Sequence, residues 1–300
     1  MSAVTSVESE VSATRRISGF VALTKPRIIE LLLVTTLPTM VVARRGLPAW
    51  TLMAATLLGG TLAAGGANAI NMVVDRDIDS VMRRTRNRPL VTGVVTPVQA
   101  LVFAVSLEVL AFAELWLTVN PLSAVLAVSA TLFYVFVYTL WLKRTSRQNI
   151  VIGGAAGAVP VLVGWAAVRN SVGWAPVVLF ALMFLWTPPH FWALAIRYRD
   201  DYRSVDVPMM PVVATFKKTS QQILLYTVLV AAVSLLFGWT AGMGPLYWVA
   251  AAVLGGAFCV LAYRLWRSPS EAQAMKLFHY SITYVTLLFA AMGVDQLIFH

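Results

Sequence analysis

The chain has 300 residues, of which 59% are hydrophobic and only 12% are charged, and its mean hydropathy is +0.77. Soluble globular domains carry about 25% charged residues, so this composition excludes a soluble globular domain and indicates a polytopic membrane protein. The formal net charge of +10 is explained by basic residues in short loops at the membrane surface, so nucleic acid is not expected as a partner. The single cysteine, Cys259, excludes an internal disulfide and a thiolate metal cluster.

Residues 1–20 are polar and lack the apolar core and cleavage site of a signal peptide, so they are predicted to form a disordered cytoplasmic tail. The rest, 21–300, is predicted to form a single transmembrane domain. Its apolar runs of roughly 20 residues are each long enough to cross a hydrocarbon core of ~30 Å as a helix, which predicts an all-α fold with nine transmembrane helices. The runs lie at approximately 28–43, 49–70, 97–118, 121–142, 149–168, 173–194, 221–240, 245–263 and 278–298.

The distribution of basic residues predicts the orientation of these helices. An odd number of spans places the two termini on opposite sides, and the loops on the N-terminal side hold 20 of the 23 Lys and Arg residues. By the positive-inside rule, the N-terminus and both long polar loops are expected in the cytoplasm, and the C-terminus on the opposite side. The Ala-, Val- and Arg-rich composition suggests a bacterial cytoplasmic membrane.

The first long loop carries a dense charged stretch, residues 71–89, directly after the second apolar run. On a helix, Asn71, Asp75 and Asp79 are spaced i, i+4, i+8 and fall on one face, whereas Asp77 points to another. Carboxylate and amide oxygens are ligands that Mg²⁺ accepts, and Mg²⁺ usually completes its shell with water and substrate phosphate. The arginines that follow are suited to clamp phosphate oxygens. The alternative is a solvated loop whose acids and bases neutralise one another.

The second long loop, after the sixth apolar run, resembles the first. Each loop begins with charged residues that continue a helix, becomes basic, and turns back through prolines. A weak internal repeat of this kind predicts two pseudo-repeated helix bundles with a polar site between them. The symmetry alone fits a secondary transporter equally well.

Two kinds of polar residue lie inside the apolar runs. His190 follows Pro188 and Pro189, which break a helix and free backbone carbonyls. It is a candidate ligand of a metal or haem iron, a candidate base, or a partner in a structural hydrogen bond. Glu108 and Glu114 are expected to make structural hydrogen bonds, and Asp295 is interpreted as an interfacial anchor.

Together these motifs resemble the UbiA superfamily of intramembrane prenyltransferases, over the chain from about residue 20 to the end. The resemblance is closest to a branch that prenylates haem. The motifs that carry it are Thr24-Lys-Pro-Arg27, Asn71 to Asp79 with Arg83-Arg-Thr85 and Asn87-Arg-Pro89, Trp186-Thr-Pro-Pro-His190-Phe-Trp192, Asp200-Asp-Tyr202 and Pro208-Met-Met-Pro211.

The resemblance implies a Mg²⁺-dependent transfer of farnesyl from farnesyl diphosphate to a vinyl group of haem b, with addition of water, to give haem O and diphosphate. It implies a central cavity lined by Trp, Phe and Tyr, in contact with the lipid bilayer, and a downstream haem-modifying membrane enzyme as a partner. The implied catalytic residues are Asp75, Asp79, Asp201 and His190. The implied metal ligands are Asn71, Asp75, Asp79, Asp200 and Asp201. The implied substrate-binding residues are Arg83, Arg84, Arg88, Lys143, Arg147, Arg197 and Tyr198.

The second motif departs from the family pattern. Members that act on aromatic acids or quinone precursors carry a second Asp-x-x-x-Asp, but this window reads Arg197-x-x-x-Asp201. Either Asp200 and Asp201 hold a second Mg²⁺ differently, or Arg197 binds a charge on diphosphate or on a haem propionate. We expect Asp201 as a ligand and Arg197 as an anion contact. An aromatic quinone precursor is the alternative acceptor, which Arg197 and the His190 segment argue against.

Overall fold

The computed structural model describes residues 12–299, apart from the side chains of residues 27–29 and 31–33. Every regular element in that range is helical. In chain order the elements are α1 Ala13–Thr24, α2 Pro26–Arg44, α3 Trp50–Val74, α4 Arg76–Val81, α5 Pro97–Thr118, α6 Pro121–Leu132, a π-helix Phe133–Leu142, α7 Lys143–Thr145, α8 Asn149–Arg169, α9 Trp174–Arg197, α10 Arg199–Arg203, α11 Met210–Val213, α12 Phe216–Ala241, α13 Pro245–Arg267 and α14 Glu271–Phe299.

Helix length and composition confirm the predicted all-α membrane fold. Eight helices among the described residues are long and apolar enough to cross a membrane, counting α6, the π-helix and α7 as one continuous span, Pro121–Thr145. The remaining long helix, α2, has 19 residues, so the predicted number of nine is approximate. The last helix begins at Glu271 rather than at residue 278, because the Ser270 hydroxyl accepts the Gln273 N–H at 3.2 Å and caps a polar first turn.

The N-terminal region differs from the predicted disordered tail, which reaches residue 20. Residues 1–11 of that tail lie outside the described residues, but α1 begins at Ala13 after a cap in which Ser12 accepts the Arg15 N–H at 3.4 Å. Gly19 is buried so close to the loop between α4 and α5 that an added Cβ would lie 2.9 Å from a methyl of Val94. Packing of one apolar face therefore orders this helix. The polar composition of the segment gives no indication of that face.

The helices form two groups that meet at a cavity. In the first group α3 packs along α5, and in the second α9, α12, α13 and α14 enclose the largest apolar cluster, while α2 and α8 join the groups. Glycines allow α3 to approach α5 closely: an added Cβ at Gly59 would lie 2.4 Å from Leu115. Small residues at such contacts let helix backbones pack tightly within a membrane.

Glu108 and Glu114 each make an expected hydrogen bond through one carboxylate oxygen, while Oε2 of each is buried without a hydrogen-bond partner. Glu108 Oε1 accepts from the Thr131 hydroxyl at 3.2 Å, and Glu114 Oε1 accepts from Thr118 at 2.9 Å.

Asp295 does more than anchor α14 at an interface. Its carboxylate is fully buried and accepts the backbone N–H groups of Gly244 at 2.6 Å and Tyr247 at 3.0 Å. Gly244 is the N-cap of α13 and Tyr247 lies in its first turn, where N–H groups have no partner within the helix. Asp295 therefore caps a neighbouring helix across the sequence.

Replacing Asp295 with alanine should lower the free energy of unfolding by about 2 kcal/mol, because two buried N–H groups lose their acceptor. Unfolding of the purified protein in detergent would measure the loss. The control is Glu271→Ala, which removes an exposed carboxylate from the same helix. Equal unfolding midpoints for the two variants would contradict the capping role.

Candidate active site

Three polar side chains form a buried stripe where α3 meets α4. Asn71, Asp75 and Asp79 are 3%, 0% and 3% exposed, whereas Asp77 faces solvent, in agreement with the predicted faces. The Asn71 amide donates to Asp75 Oδ2 at 2.7 Å. Helical hydrogen bonds continue through the junction, since Asp79 N–H donates to the Asp75 carbonyl at 2.9 Å. The stripe therefore runs along an almost continuous helical surface.

Each member of the stripe contacts a cation from a different part of the chain. The Lys143 ammonium donates to Asp75 Oδ2, and Arg88 Nη1 lies 2.5 Å from Asp79 Oδ2. The Lys25 ammonium donates to Asn71 Oδ1 at 3.0 Å. Opposite charges at this distance stabilise carboxylates that burial would otherwise destabilise.

Lys25 is a site residue that sequence reasoning missed. It lies between α1 and α2 in a left-handed conformation, with φ of 53°, and Pro26 disfavours the right-handed helical conformation for the residue before it. Burial, and then the Arg88 and Lys143 charges, lower the pKa of Lys25 to about 7 against the opposing effect of Asp75 and Asp79. The sequence feature that could have identified Lys25 as a site residue is the Lys-Pro pair at the start of a helix.

The π-helix supplies a second contact to the stripe. The Thr139 hydroxyl accepts from the Asn71 amide at 3.2 Å and donates to the Tyr134 carbonyl at 2.9 Å, a separation of five residues. π-Helices are rare and occur mostly as single-turn bulges, frequently at functional sites, whereas this one is ten residues long. Its register brings Thr139 and Lys143 to the stripe and Tyr134 to the cavity.

Arg144 was also missed by the sequence reasoning. Its guanidinium binds both carboxylate oxygens of Asp77 at 2.7 Å and donates to the Val74 carbonyl at 3.1 Å. These hydrogen bonds lower the pKa of Asp77 to about 2. The same guanidinium lies 3.9 Å from Asp75 Oδ1, so Arg144 connects α7 both to the exposed face of α4 and to the buried stripe.

The second long loop packs against the first. Asp201 Oδ2 accepts the backbone N–H of Arg84 at 3.2 Å, and the Arg84 guanidinium lies 5.3 Å from the centre of the Tyr198 ring. Tyr202 is buried beside Arg84, and burial raises the pKa of its hydroxyl. The structure thus brings the two loops together, as a site between two repeats requires.

A cavity of about 250 Å³ extends away from the stripe between α2, α3, α6, the π-helix, α8 and α9. Along α3 its lining runs from Asn68 to Thr56, which corresponds to about 18 Å of helix. The expectation of a cavity lined by Trp, Phe and Tyr is wrong here: among the described residues, Tyr134 is the only aromatic residue of the lining. Most of the others are Ala, Gly, Thr and Val, whose small side chains leave the space.

The sequence profile of the UbiA prenyltransferase family matches residues 32–289. The chain belongs to this family. It is 54% identical over 289 residues to a protoheme IX farnesyltransferase of Parafrankia, an alignment that covers 95% of this chain and 92% of the relative. The fold of this prenyltransferase is similar to that of a digeranylgeranylglyceryl phosphate synthase, with a TM-score of 0.77, 18% identity, and coverage of 94% and 98% of the two chains.

A UbiA homologue from Archaeoglobus fulgidus bound to GPP and Mg²⁺ has the same fold. Its TM-score is 0.61 at 14% identity, with coverage of 91% of this chain and 99% of that one. The family and its many apolar helices make this prenyltransferase a multi-pass membrane protein.

Several predicted site residues of the prenyltransferase lie apart from the stripe. The Asp200 side chain is 93% exposed and pairs with Arg203 at 3.4 Å, which does not fit a metal ligand. Arg197 is half exposed, and its closest ionic partner is Glu271 at 3.9 Å. Arg83 and Arg147 are exposed.

The stripe itself fits a hard divalent cation. Asp75 Oδ1 is buried without a hydrogen bond, and its ionic partner Arg144 Nη2 is 3.9 Å away, whereas Asp75 Oδ2 accepts two hydrogen bonds. A buried oxygen of this kind is costly unless a donor or cation approaches it more closely, as a bound metal ion would. No group of three or more His, Cys, Asp or Glu side chains converges within the described part of the chain. Mg²⁺ bound to Asp75, Asp79 and Asn71 would therefore take its other ligands from water and phosphate.

Asp201→Ala should loosen the contact between the two loops, because it removes the acceptor of the Arg84 N–H. A neutral hydrogen bond contributes about 1 kcal/mol and one to a charged group somewhat more, so amide hydrogen exchange around Arg84 should accelerate about fivefold or more. Mass spectrometry of peptides that cover residues 82–96 would measure it. Asp200→Ala is the matched control; equal acceleration in both variants would contradict the contact.

Proposed function

We propose that the chain transfers a farnesyl group from farnesyl diphosphate to a vinyl carbon of haem b, with addition of water to the other vinyl carbon, giving haem O and diphosphate. The observation that carries the proposal is a buried, cation-lined carboxylate stripe adjoining an apolar cavity. The named relative supports the two substrates, since it is a protoheme IX farnesyltransferase that matches nearly the whole chain.

The polar side of the site is suited to the departure of diphosphate. Mg²⁺, which the A. fulgidus homologue binds together with GPP, would neutralise charge on the leaving oxygens when held by Asn71, Asp75 and Asp79. Lys25, Lys143 and Arg88 supply positive charge at the stripe, and Arg84 adds a guanidinium beside Tyr198 on the adjoining loop. In the substrate complex these cations exchange part of their contacts with the carboxylates for contacts with phosphate oxygens.

The cavity is suited to hold the farnesyl tail. Its lining from α2, α3, α6, the π-helix, α8 and α9 is mostly apolar, which disfavours water beside an allylic carbocation that forms at the end nearest the stripe. Tyr134 lies at the end of the cavity nearest the stripe, and its ring stacks on Tyr138 with centroids 5.4 Å apart. An aromatic face in this place stabilises positive charge.

The remaining site roles follow from position. Asp201 holds the two loops together, and its second oxygen remains available to a second cation or to water. Tyr198 orients Arg84, while Arg83, Arg147 and Arg197 provide positive charge for incoming anionic substrates. In this proposal Asp200 does not bind a metal ion.

The orientation in the membrane and a downstream partner belong to the same proposal. The basic loops favour a bacterial cytoplasmic membrane with the N-terminus and the site loops in the cytoplasm and the C-terminus opposite. Haem O carries a long prenyl chain, so a haem-modifying enzyme within the same membrane is the natural recipient.

Asp75→Asn should abolish formation of haem O from haem b, farnesyl diphosphate and Mg²⁺, while Asp77→Asn should retain most of it. The two residues lie in one segment, but only Asp75 is buried in the stripe. Chromatography of the haem product and release of diphosphate would be measured in detergent. Loss of activity in Asp77→Asn alone, or Mg²⁺-independent activity, would contradict the proposal.

Ala127→Phe should shorten the cavity and favour a shorter prenyl donor, because Ala127 lines the half that lies far from the stripe. The ratio of kcat/KM for farnesyl over geranyl diphosphate should fall about tenfold or more, the discrimination that a changed apolar pocket provides. The control is Val125→Phe, since Val125 is 48% exposed on the outside of the same helix. An unchanged kcat/KM ratio in Ala127→Phe would show that this cavity does not bind the prenyl tail.

A further inference from the structure

His190 lies on the face of α9 that borders the cavity. Met183, two helical turns earlier on the same face, is part of the cavity lining, and α9 ends at Arg197 where the second loop begins. His190 is therefore placed between the cavity and the loops.

The imidazole ring has a fixed orientation. It stacks on Trp186 with ring centroids 4.2 Å apart and an interplanar angle of 19°, and the Phe278 ring lies 4.8 Å away. Trp186 is itself held by a hydrogen bond of 2.9 Å from its Nε1 to the Ser281 carbonyl. Two helices, α9 and α14, thus determine the direction of both ring nitrogens.

The hydrogen bonds also determine the tautomer. The Ser281 hydroxyl donates its only hydrogen to the Phe278 carbonyl at 2.6 Å. In the contact of 2.7 Å between Ser281 Oγ and His190 Nδ1, the proton must therefore lie on Nδ1. This leaves a lone pair on Nε2.

Nε2 is the nitrogen that is free to bind something. Across the described residues no hydrogen-bond partner is found for it, and it is not among the enclosed polar atoms that lack a partner. It consequently opens onto accessible space. A residue needed only for aromatic packing would not require a locked tautomer with its lone pair directed outward.

We propose that Nε2 of His190 is an axial ligand of the iron of haem b, holding the acceptor while it is prenylated. This inference rests on the proposed function, which makes haem a substrate. Histidines that bind metals generally donate their second N–H to a fixed acceptor, which orients the ring and raises its basicity. Ser281 is that acceptor, so it positions the ligand without touching the haem.

The test is haem binding rather than turnover. Haem b is titrated into the full-length protein, purified without a polyhistidine tag, in the absence of farnesyl diphosphate, and followed by absorption and electron paramagnetic resonance. The wild type should give an imidazole-ligated spectrum with hyperfine coupling that changes when its histidines carry ¹⁵N. His190→Gly should lose this spectrum and bind haem about tenfold or more weakly, and added imidazole should restore it.

Two further variants isolate the ligand. His279→Gln removes an exposed histidine of α14 and should leave the spectrum unchanged. Ser281→Ala should keep histidine ligation but weaken haem binding about tenfold, as loss of an outer hydrogen bond to a metal ligand does. Binding of farnesyl diphosphate with Mg²⁺ shows that each variant is folded.

The outcomes separate the inference from the function on which it rests. If the wild type binds haem without histidine hyperfine coupling, or if His190→Gly binds haem with an unchanged spectrum, His190 is not the ligand, while haem remains the acceptor. If the wild type binds no haem, the acceptor itself is overturned together with the ligand.

Discussion

The structure depends on the burial of two carboxylates, Asp75 and Asp79, at the end of a membrane-spanning helix. A buried carboxylate without a partner is strongly unfavourable, and removing one member of such a pair costs about 3–5 kcal/mol. The chain supplies two cations from α7 to Asp75, Lys143 and, at 3.9 Å, Arg144, and it supplies Arg88 from the loop after α4 to Asp79. Charge balance therefore ties segments far apart in sequence to the end of α3, and the same cations become the surroundings of an anionic substrate.

Two uncommon backbone conformations occur at this junction. Lys25 has positive φ, which costs of order 1–3 kcal/mol for a residue other than glycine, and the π-helix replaces ordinary helical hydrogen bonds over ten residues. Both persist because their side chains reach the stripe: Lys25 contacts Asn71, and Thr139 contacts the same amide. The hydrogen bonds made at the stripe therefore offset the cost of these two conformations.

The parts of the site that are local in sequence could be predicted, and the parts that depend on tertiary contacts could not. Asn71, Asp75 and Asp79 lie on one helix, so their spacing alone places them on one face. The Lys25 ammonium contacts Asn71 although the two residues are 46 positions apart. Hydrophobic periodicity gives no information about contacts at that separation. The π-helix was missed because its sequence, Phe133 to Leu142, is almost entirely apolar. Asp200 and Asp201 are adjacent and chemically identical, and only the packing of α10 separates the exposed one from the one bonded to Arg84.

The direction of α3 also sets the orientation of a prenyl diphosphate. One helix carries the stripe at its C-terminal end and lines the cavity along its earlier turns, from Asn68 back to Thr56. A substrate with a charged head and an apolar tail can satisfy both regions only with its head toward the loops. Its first carbon then lies where the stripe, Tyr134 and the cavity meet. An acceptor bound at His190 as proposed would reach that carbon from the side of α9 and α14, the two helices that fix the imidazole.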